Sequence, residues 1–281
     1  MTGTAKVRTI DQKTTGSPEK VDGWGTLVKP SELIDIVEMT PLTLNDRRIY
    51  NCLLANAWDK IGDDVEHVIA KADLRSSHGS TDRLGASIER LMAGIVRVRL
   101  PNGDKMRVQL LGANTEAEKG SGVFRYRFDQ ELRMIIQNSS VFARIRSEVT
   151  FALSSKYALA LYEMIQKRGN LSHKWSEEFE VDEMRALLGV EKGKLTQFAD
   201  FKRRALAPAV REVNALGDYG VSMLPVKTGR AVTGVKLHWY AKSQDELKEA
   251  YQELERSKVG RRARIDGTAE RLAKLERELI R

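Results

Sequence analysis

The stretch Phe198–Asn214, FADFKRRALAPAVREVN, decides the reading of this 281-residue chain, because its spacing predicts one helix with an apolar and a basic face. At about 100° per residue, Phe198, Phe201, Ala205, Leu206, Ala209 and Val213 gather on one side. Arg203, Arg204, Ala207, Arg211 and Asn214 gather opposite. Lys202 falls toward the apolar side and has to snorkel outward. A small outer face carrying Arg203, Arg204, Arg211 and Asn214 can enter a DNA major groove, where Arg pairs with guanine edges and Asn with adenine. The same pattern suits a solvated surface helix, and the helix alone leaves both open.

The flanking segments add context. Two β-rich runs follow, Tyr219 to Lys227 and Ala231 to Tyr240, separated by Thr228, Gly229 and Arg230, which predicts a hairpin with a basic tip. A helix from about Ser154 to Arg168 and a short one from Asp182 to Leu188 precede it. Helix, short helix, long basic helix and hairpin is the order of a winged helix-turn-helix domain, in which the long helix reads the major groove. Lys227, Arg230 and Lys236 are placed to hold the flanking DNA backbone.

With these elements in place, the segment between about Val149 and Tyr240 resembles the replication initiator (Rep) proteins of iteron-containing bacterial plasmids. The resemblance is carried by Leu153, Ser154, Tyr157 and the LYE run Leu161–Glu163, by MRALLGV at Met184–Val190, by FKRR at Phe201–Arg204 and by PAVREVN at Pro208–Asn214. Gly229 and Arg230 of the hairpin add to it. Leu195 is a departure, since many relatives carry an aromatic there. The resemblance implies an α+β fold of two tandem winged helices, so the first half should repeat the order of elements.

In outline it does. Leu44 to Trp58 reads as helical, with Leu44, Ile49, Leu53, Leu54 and Trp58 available for burial. A shorter helix is expected near His67 to Arg75. A third, capped by Ser80, puts Leu84, Ile88, Leu91 and Met92 on one face and Arg83, Ser87 and Arg90 outward. Ile95 to Leu100 and Lys105 to Gly112 form a hairpin around Pro101, Asn102 and Gly103, and Val123 to Phe128 a third strand. Arg97, Arg99, Arg107, Arg125 and Arg127 alternate with apolar residues, and so share outer faces of the strands. Such a face can lie along phosphates or can only keep a sheet soluble; few acids lie nearby in sequence.

The layout expected is a flexible arm at residues 1–25, a first winged helix at 26–145 for DNA binding and dimerisation, a second at 146–241 as main reader, and a charged helical tail at 242–281. In the tail, Gln244 to Ser257 is a helix, Lys258 to Arg264 a basic turn, and Thr268 to Arg281 a last helix. That tail can dock on the second domain, bind a partner or contact DNA. Length suits two domains of about 100 residues each. The net charge of +8 suits a polyanion partner. The single cysteine, Cys52, cannot form an internal disulfide, and neither a signal region nor an apolar run of about 20 residues is seen, so the expectation is a cytoplasmic protein without membrane contact.

Enzymatic readings fail on the residues. Gly189–Thr196, GVEKGKLT, has three residues between its glycines where a phosphate-binding loop needs four, and its lysines are not followed by the required Ser or Thr. His67, His78, His173 and His238 are dispersed without ligand spacing, so neither a metal nor a cofactor is expected. No His-x-His pair stands beside a tyrosine, as strand-nicking replication enzymes require. The resemblance implies a non-enzymatic initiator whose monomers bind origin direct repeats, loosen adjacent AT-rich duplex and recruit the host initiator and helicase. Dimers in equilibrium with them, held mainly by the first domain through an apolar surface around Trp58, Ile95 and Phe124, would bind a promoter inverted repeat and repress it, setting copy number. A dedicated transcriptional repressor is the alternative, and a chromosome-compacting protein comes third.

Overall fold

The computed structural model describes residues 25–75, 81–100, 102–116, 122–171 and 173–267. The chain divides into one unit that runs to Ser147 and includes Asn170–His173, and another formed by Glu148–Gly169 and the chain from Lys174 onward.

In the first unit β1 (Thr26–Pro30), β2 (Val37–Glu38), α1 (Leu44–Ala57), β3 (His67–Ala70), α2 (Lys71–Arg75) and α3 (Thr81–Met92) are followed by β4 (Ile95–Arg99), β5 (Lys105–Gln109), β6 (Asn114–Glu116), β7 (Val123–Tyr126), α4 (Gln130–Asn138) and β8 (Phe142–Arg146). Helix α1 opens on a reciprocal cap: Asp46 N–H donates to Thr43 Oγ1, and Thr43 N–H donates to the Asp46 carboxylate. It buries Ile49, Tyr50, Leu53 and Leu54. The hairpin β4–β5 forms as expected, with Val96 opposite Val108 and Val98 opposite Met106 on its inner face. Among the described residues its strands form antiparallel sheets ordered β1-β8, β2-β4-β5 and β3-β7-β6.

Two expectations for this unit are corrected. His67–Arg75 is not one helix, because His67–Ala70 pairs with β7 and only Lys71–Arg75 is helical. The β-branched Val68 and Ile69 suit a pleated ladder better than a helical turn. The strand expected beside the hairpin forms over Val123–Tyr126 but belongs to the separate sheet with β3 and β6. Ser80, the expected cap, lies outside the described residues.

The second unit follows α5 (Ser147–Ala152) with α6 (Lys156–Gly169), β9 (Ser176–Glu180), α7 (Val181–Leu187), a long helix α8 (198–216), β10 (Tyr219–Thr228), β11 (Ala231–Ala241) and α9 (Gln244–Glu255). Strands order β10-β11-β9, all antiparallel. Strand β9 is absent from the sequence reading, since SEEFE offers charge rather than alternation; it joins the sheet through Phe179, buried opposite Val235.

Helix α8 is not a uniform α-helix. It runs as Phe198–Phe201, a π-helical turn at Lys202–Leu206, and Ala207–Leu216. Pro208 has no N–H for the Arg204 carbonyl and its ring crowds that carbonyl, so the preceding turn widens and Ala207 N–H donates five residues back to Lys202 O. Phe201, Ala205, Leu206, Ala209 and Val213 are buried as the periodicity predicts.

Residues beyond Arg256 depart from the expected basic turn, which ends at Gly260; residues 261–267 are helical. Glu253 draws them back: Arg264 Nη2 lies 2.6 Å and Arg261 Nε 3.4 Å from its Oε1. Burial pushes the Glu253 carboxyl up, but Arg264 and Arg261 hold it below the usual carboxylate range. Arg261 also donates to Ala152 O, so this part of the tail docks on its own unit. The last expected helix, Thr268 to Arg281, lies outside the described residues.

His67 is buried beside Tyr126 and Phe128, with ring centroids 5.4 and 6.0 Å away, and its Nε2 has no hydrogen-bond partner among the described residues. Burial, with Arg127 and Arg133 nearby, holds its pKa below 6.5. The unfolded chain therefore takes up this proton more readily than the folded one. Its contribution is complete above the unfolded pKa and is lost as pH falls through the folded value. Thermal melts from pH 7.5 to 5.5 should show a falling midpoint, and His67→Gln should flatten that part of the profile.

Candidate nucleic-acid interface

The second unit carries the basic face of α8 and the β10–β11 wing. Lys202, Arg203 and Arg204 are all exposed, the Arg203 and Arg204 side chains at 70 % and 63 %. Lys202 therefore does not need to snorkel from the apolar side; the widened turn places it beside its two neighbours. Asp200 sits one turn earlier, with Oδ1 2.7 Å from Arg203 Nη2 and 3.5 Å from Arg204 Nε. The Arg203 hydrogen bond, with Arg204 beside it, holds the Asp200 carboxyl below the usual range. Arg211 is half-buried, its Nε 2.9 Å from Oδ1 of Asp266 in the tail.

Asn214 has partners that helical spacing does not show. Its Nδ2 donates to Val221 O at 2.8 Å and its Oδ1 accepts from Val221 N–H at 2.7 Å, so the exposed amide also ties α8 to β10. Helical spacing puts Asn214 on the right face but cannot show that the returning strand claims it. Glu212 plays a similar part that the sequence reading missed. It accepts from the backbone N–H of Ser154 at 2.7 Å and from its hydroxyl, tying α8 to the start of α6. That pair links two of the stretches that carry the family resemblance.

Arg185 is another residue whose part was not foreseen. From α7 it donates to the carbonyls of Leu195 and Thr196 and lies 5.4 Å over the Phe201 ring. Leu195 has φ of 50°, a left-handed conformation costly for a non-glycine residue, and Arg185 holds that turn before α8. On the wing, Gly229 at φ 62° makes the turn, and Lys227 and Arg230 are exposed near it. Lys236 is half-buried, opposite Leu224 and Glu178 in the sheet. Lys202, Lys227, Arg230 and Lys236 have no ion-pair partner among the described residues.

In the first unit the expected helix face is corrected. Ser87 is fully buried and accepts from Asn45 Nδ2 at 2.9 Å, so it packs α3 on α1 rather than facing outward. Arg90 turns back to Asp46, with Nε and Nη2 each 2.8 Å from a carboxylate oxygen. Burial pushes the Asp46 carboxyl up, yet the bonds from Arg90 and Thr43 hold it below its usual range. A buried carboxylate captures an arginine that periodicity alone would place in solvent. The Arg83 side chain lies outside the described residues.

The strand arginines divide into two groups. On β7, Arg125 pairs with Glu66 at 3.5 Å, and nearby Arg127 pairs with Asp64 at 3.6 Å, so acids brought in by folding neutralise a face that looks bare in sequence. On β4–β5, Arg97 stands opposite Arg107 and Arg99 opposite Lys105, with no acidic partner among the described residues. Like charges directly opposite oppose sheet formation. Phe124 is fully buried, and Trp58 lies edge-on to Phe142 at 5.9 Å; of the expected apolar surface only Ile95 is well exposed. Among the described residues no group of three or more His, Cys, Asp or Glu side chains could hold a metal ion.

The model of the "Initiator Replication protein, WH1" domain matches residues 26–166, and that of the "Initiator Rep protein, WH2" domain matches residues 180–239. The chain belongs to the initiator Rep protein family. It is a replication initiator of two tandem winged-helix domains with mixed helix and sheet. The Pi initiator protein, solved in complex with iteron DNA, shares this fold at TM-score 0.55 and 19 % identity over 80 % of this chain and all of that one. Domains 2 and 3 of RctB match at TM-score 0.46 and 12 % identity over 80 % of this chain and 90 % of that one. No curated protein matches the chain.

The geometry separates residues hydrogen-bonded within the fold from exposed cations on one helix. Asn214→Ala removes both bonds to Val221 and is expected to lower stability by about 1–2 kcal/mol without changing which base pairs the protein prefers. Arg90→Ala leaves the buried Asp46 carboxylate without its cation, and should cost about 2–3 kcal/mol in the first unit. Urea melts of both variants beside a DNA-selection profile check this.

Proposed function

We propose that this initiator binds the direct repeats of a plasmid origin as double-stranded DNA, with α8 in the major groove and the β10–β11 wing on the flanking backbone. The observation that carries this reading is the exposed run Lys202, Arg203 and Arg204, set by the π turn on the same helix as Arg211. The Pi initiator's complex with iteron DNA supports it by analogy. Lys227, Arg230 and Lys236 serve as backbone contacts in this reading. In the first unit, the β4–β5 ladder of Arg97, Arg99 and Arg107 replaces the α3 face as the phosphate contact, because an anion relieves its own repulsion. Ser87 and Arg90 are left out.

The reading is of a non-enzymatic protein acting in the cytoplasm of the plasmid's host, where binding recruits the host initiator and helicase. Among the described residues no helix is long and apolar enough to cross a membrane. Dimers held by the first unit would bind an inverted repeat at the promoter, because a two-fold protein demands two-fold DNA.

Arg203→Ala or Arg204→Ala should cost about 1–3 kcal/mol on a specific duplex and relax preference at one base pair. Equal losses on random DNA would make them phosphate clamps, and no loss on either would refute the placement of α8. Arg99→Ala with Arg107→Ala should weaken specific and random binding alike and lower the salt dependence. Complex stoichiometry distinguishes the two assemblies: monomers are expected on a direct repeat and dimers on an inverted one. Dimers on both would favour a dedicated repressor.

A further inference from the structure

We propose that Asp266, in the helical segment 261–267, is a positioning residue for Arg211, so that the tail takes part in DNA reading. The proposal rests on the reading of α8 as the major-groove helix. The arginines of that helix are held differently. Arg203 meets Asp200 through a terminal nitrogen, Nη2, at 2.7 Å, so its terminal pair is already partly engaged. Arg211 is met from the side, Nε to Oδ1 at 2.9 Å, and its two terminal nitrogens make no hydrogen bond among the described residues.

A guanidinium that reads a guanine edge commonly uses two parallel donors, and an end-on approach employs the terminal pair. A carboxylate at Nε leaves that pair open while restricting how the long side chain turns. Less rotamer freedom is then lost when DNA arrives, which is the advantage of a preorganised contact.

Asp266 is itself held in place. Its segment is anchored through Arg261 and Arg264 to Glu253, through Arg264 Nη2 to Ser257 O at 2.8 Å, and by buried Ile265. Arg262 Nε lies 3.8 Å from the second carboxylate oxygen and its side chain is exposed, which offsets the negative charge that Asp266 brings toward a phosphate backbone. A loose charged tail needs no such fixing.

Binding by the full chain is measured by fluorescence anisotropy on two probes: a duplex that the protein itself selects from a random pool, and a scrambled duplex of equal composition. Asp266→Asn should lower the ratio of selected to scrambled affinity about tenfold, the scale of one well-made base contact. Affinity for the scrambled duplex should hold or rise, since a negative charge is removed. Arg211→Ala should lower the ratio as much, and the double variant no further, because the two act as one unit. Asp266→Glu should recover part of the ratio.

An unchanged ratio in Asp266→Asn with a lowered ratio in Arg211→Ala overturns the proposal. Equal gains on both duplexes also overturn it and mark Asp266 as a cover over Arg211. If Arg203→Ala and Arg204→Ala lower the ratio and Arg211→Ala does not, the Asp266 proposal falls alone. If none of the three arginine variants changes either affinity, the reading of α8 falls with it.

Discussion

Pro208 has no N–H to donate, and the character of α8 follows from that constraint. A regular helix would keep Lys202 near the buried strip of Phe201, Ala205 and Ala209. The π turn lets the buried strip continue on either side while Lys202, Arg203 and Arg204 emerge together. Glu212 and Asn214 lie beyond the turn and fix the helix to the segment just before α6 and to β10. The widened turn is thus held between a buried aromatic end and a hydrogen-bonded end, and its cations are presented by a rigid element.

The two units solve a shared problem with different sheets. In the second, β9 comes between α6 and α7 and pairs with β11, so wing and helices share one sheet. In the first, the corresponding strand β3 pairs with β7, while the hairpin β4–β5 takes β2 as its third strand. The duplication is one of element order and not of strand pairing, which fits the lack of a residue-level repeat between the halves.

The sequence made legible whatever depends on local periodicity. The apolar strip of α8, the span of α1, both hairpins and the exposed Arg203, Arg204 and Arg230 stand where spacing puts them, whereas Lys202 does not. Long-range pairing was not legible: Thr26 lies opposite Arg146, and nothing in either short segment names the other. Contacts that side chains make with distant partners were not legible for the same reason. Asn214, Ser87 and Arg90 are polar and correctly spaced for an outer face, but Val221, Asn45 and Asp46 reach them only after folding. Phe124 shows the converse, an aromatic offered to a partner molecule and consumed by the core.

Arg97 opposite Arg107 and Arg99 opposite Lys105 make the first wing an element that works against itself when alone. Any anion lying along it removes that opposition, so the repulsion between strands and the attraction for a polyanion have one origin and scale together. Salt, which screens both, should make the hairpin more secure while weakening its attraction for an anion. The wing is in this sense a charged spring compressed by the fold, and a weaker ladder would give a steadier domain with less attraction for an anion.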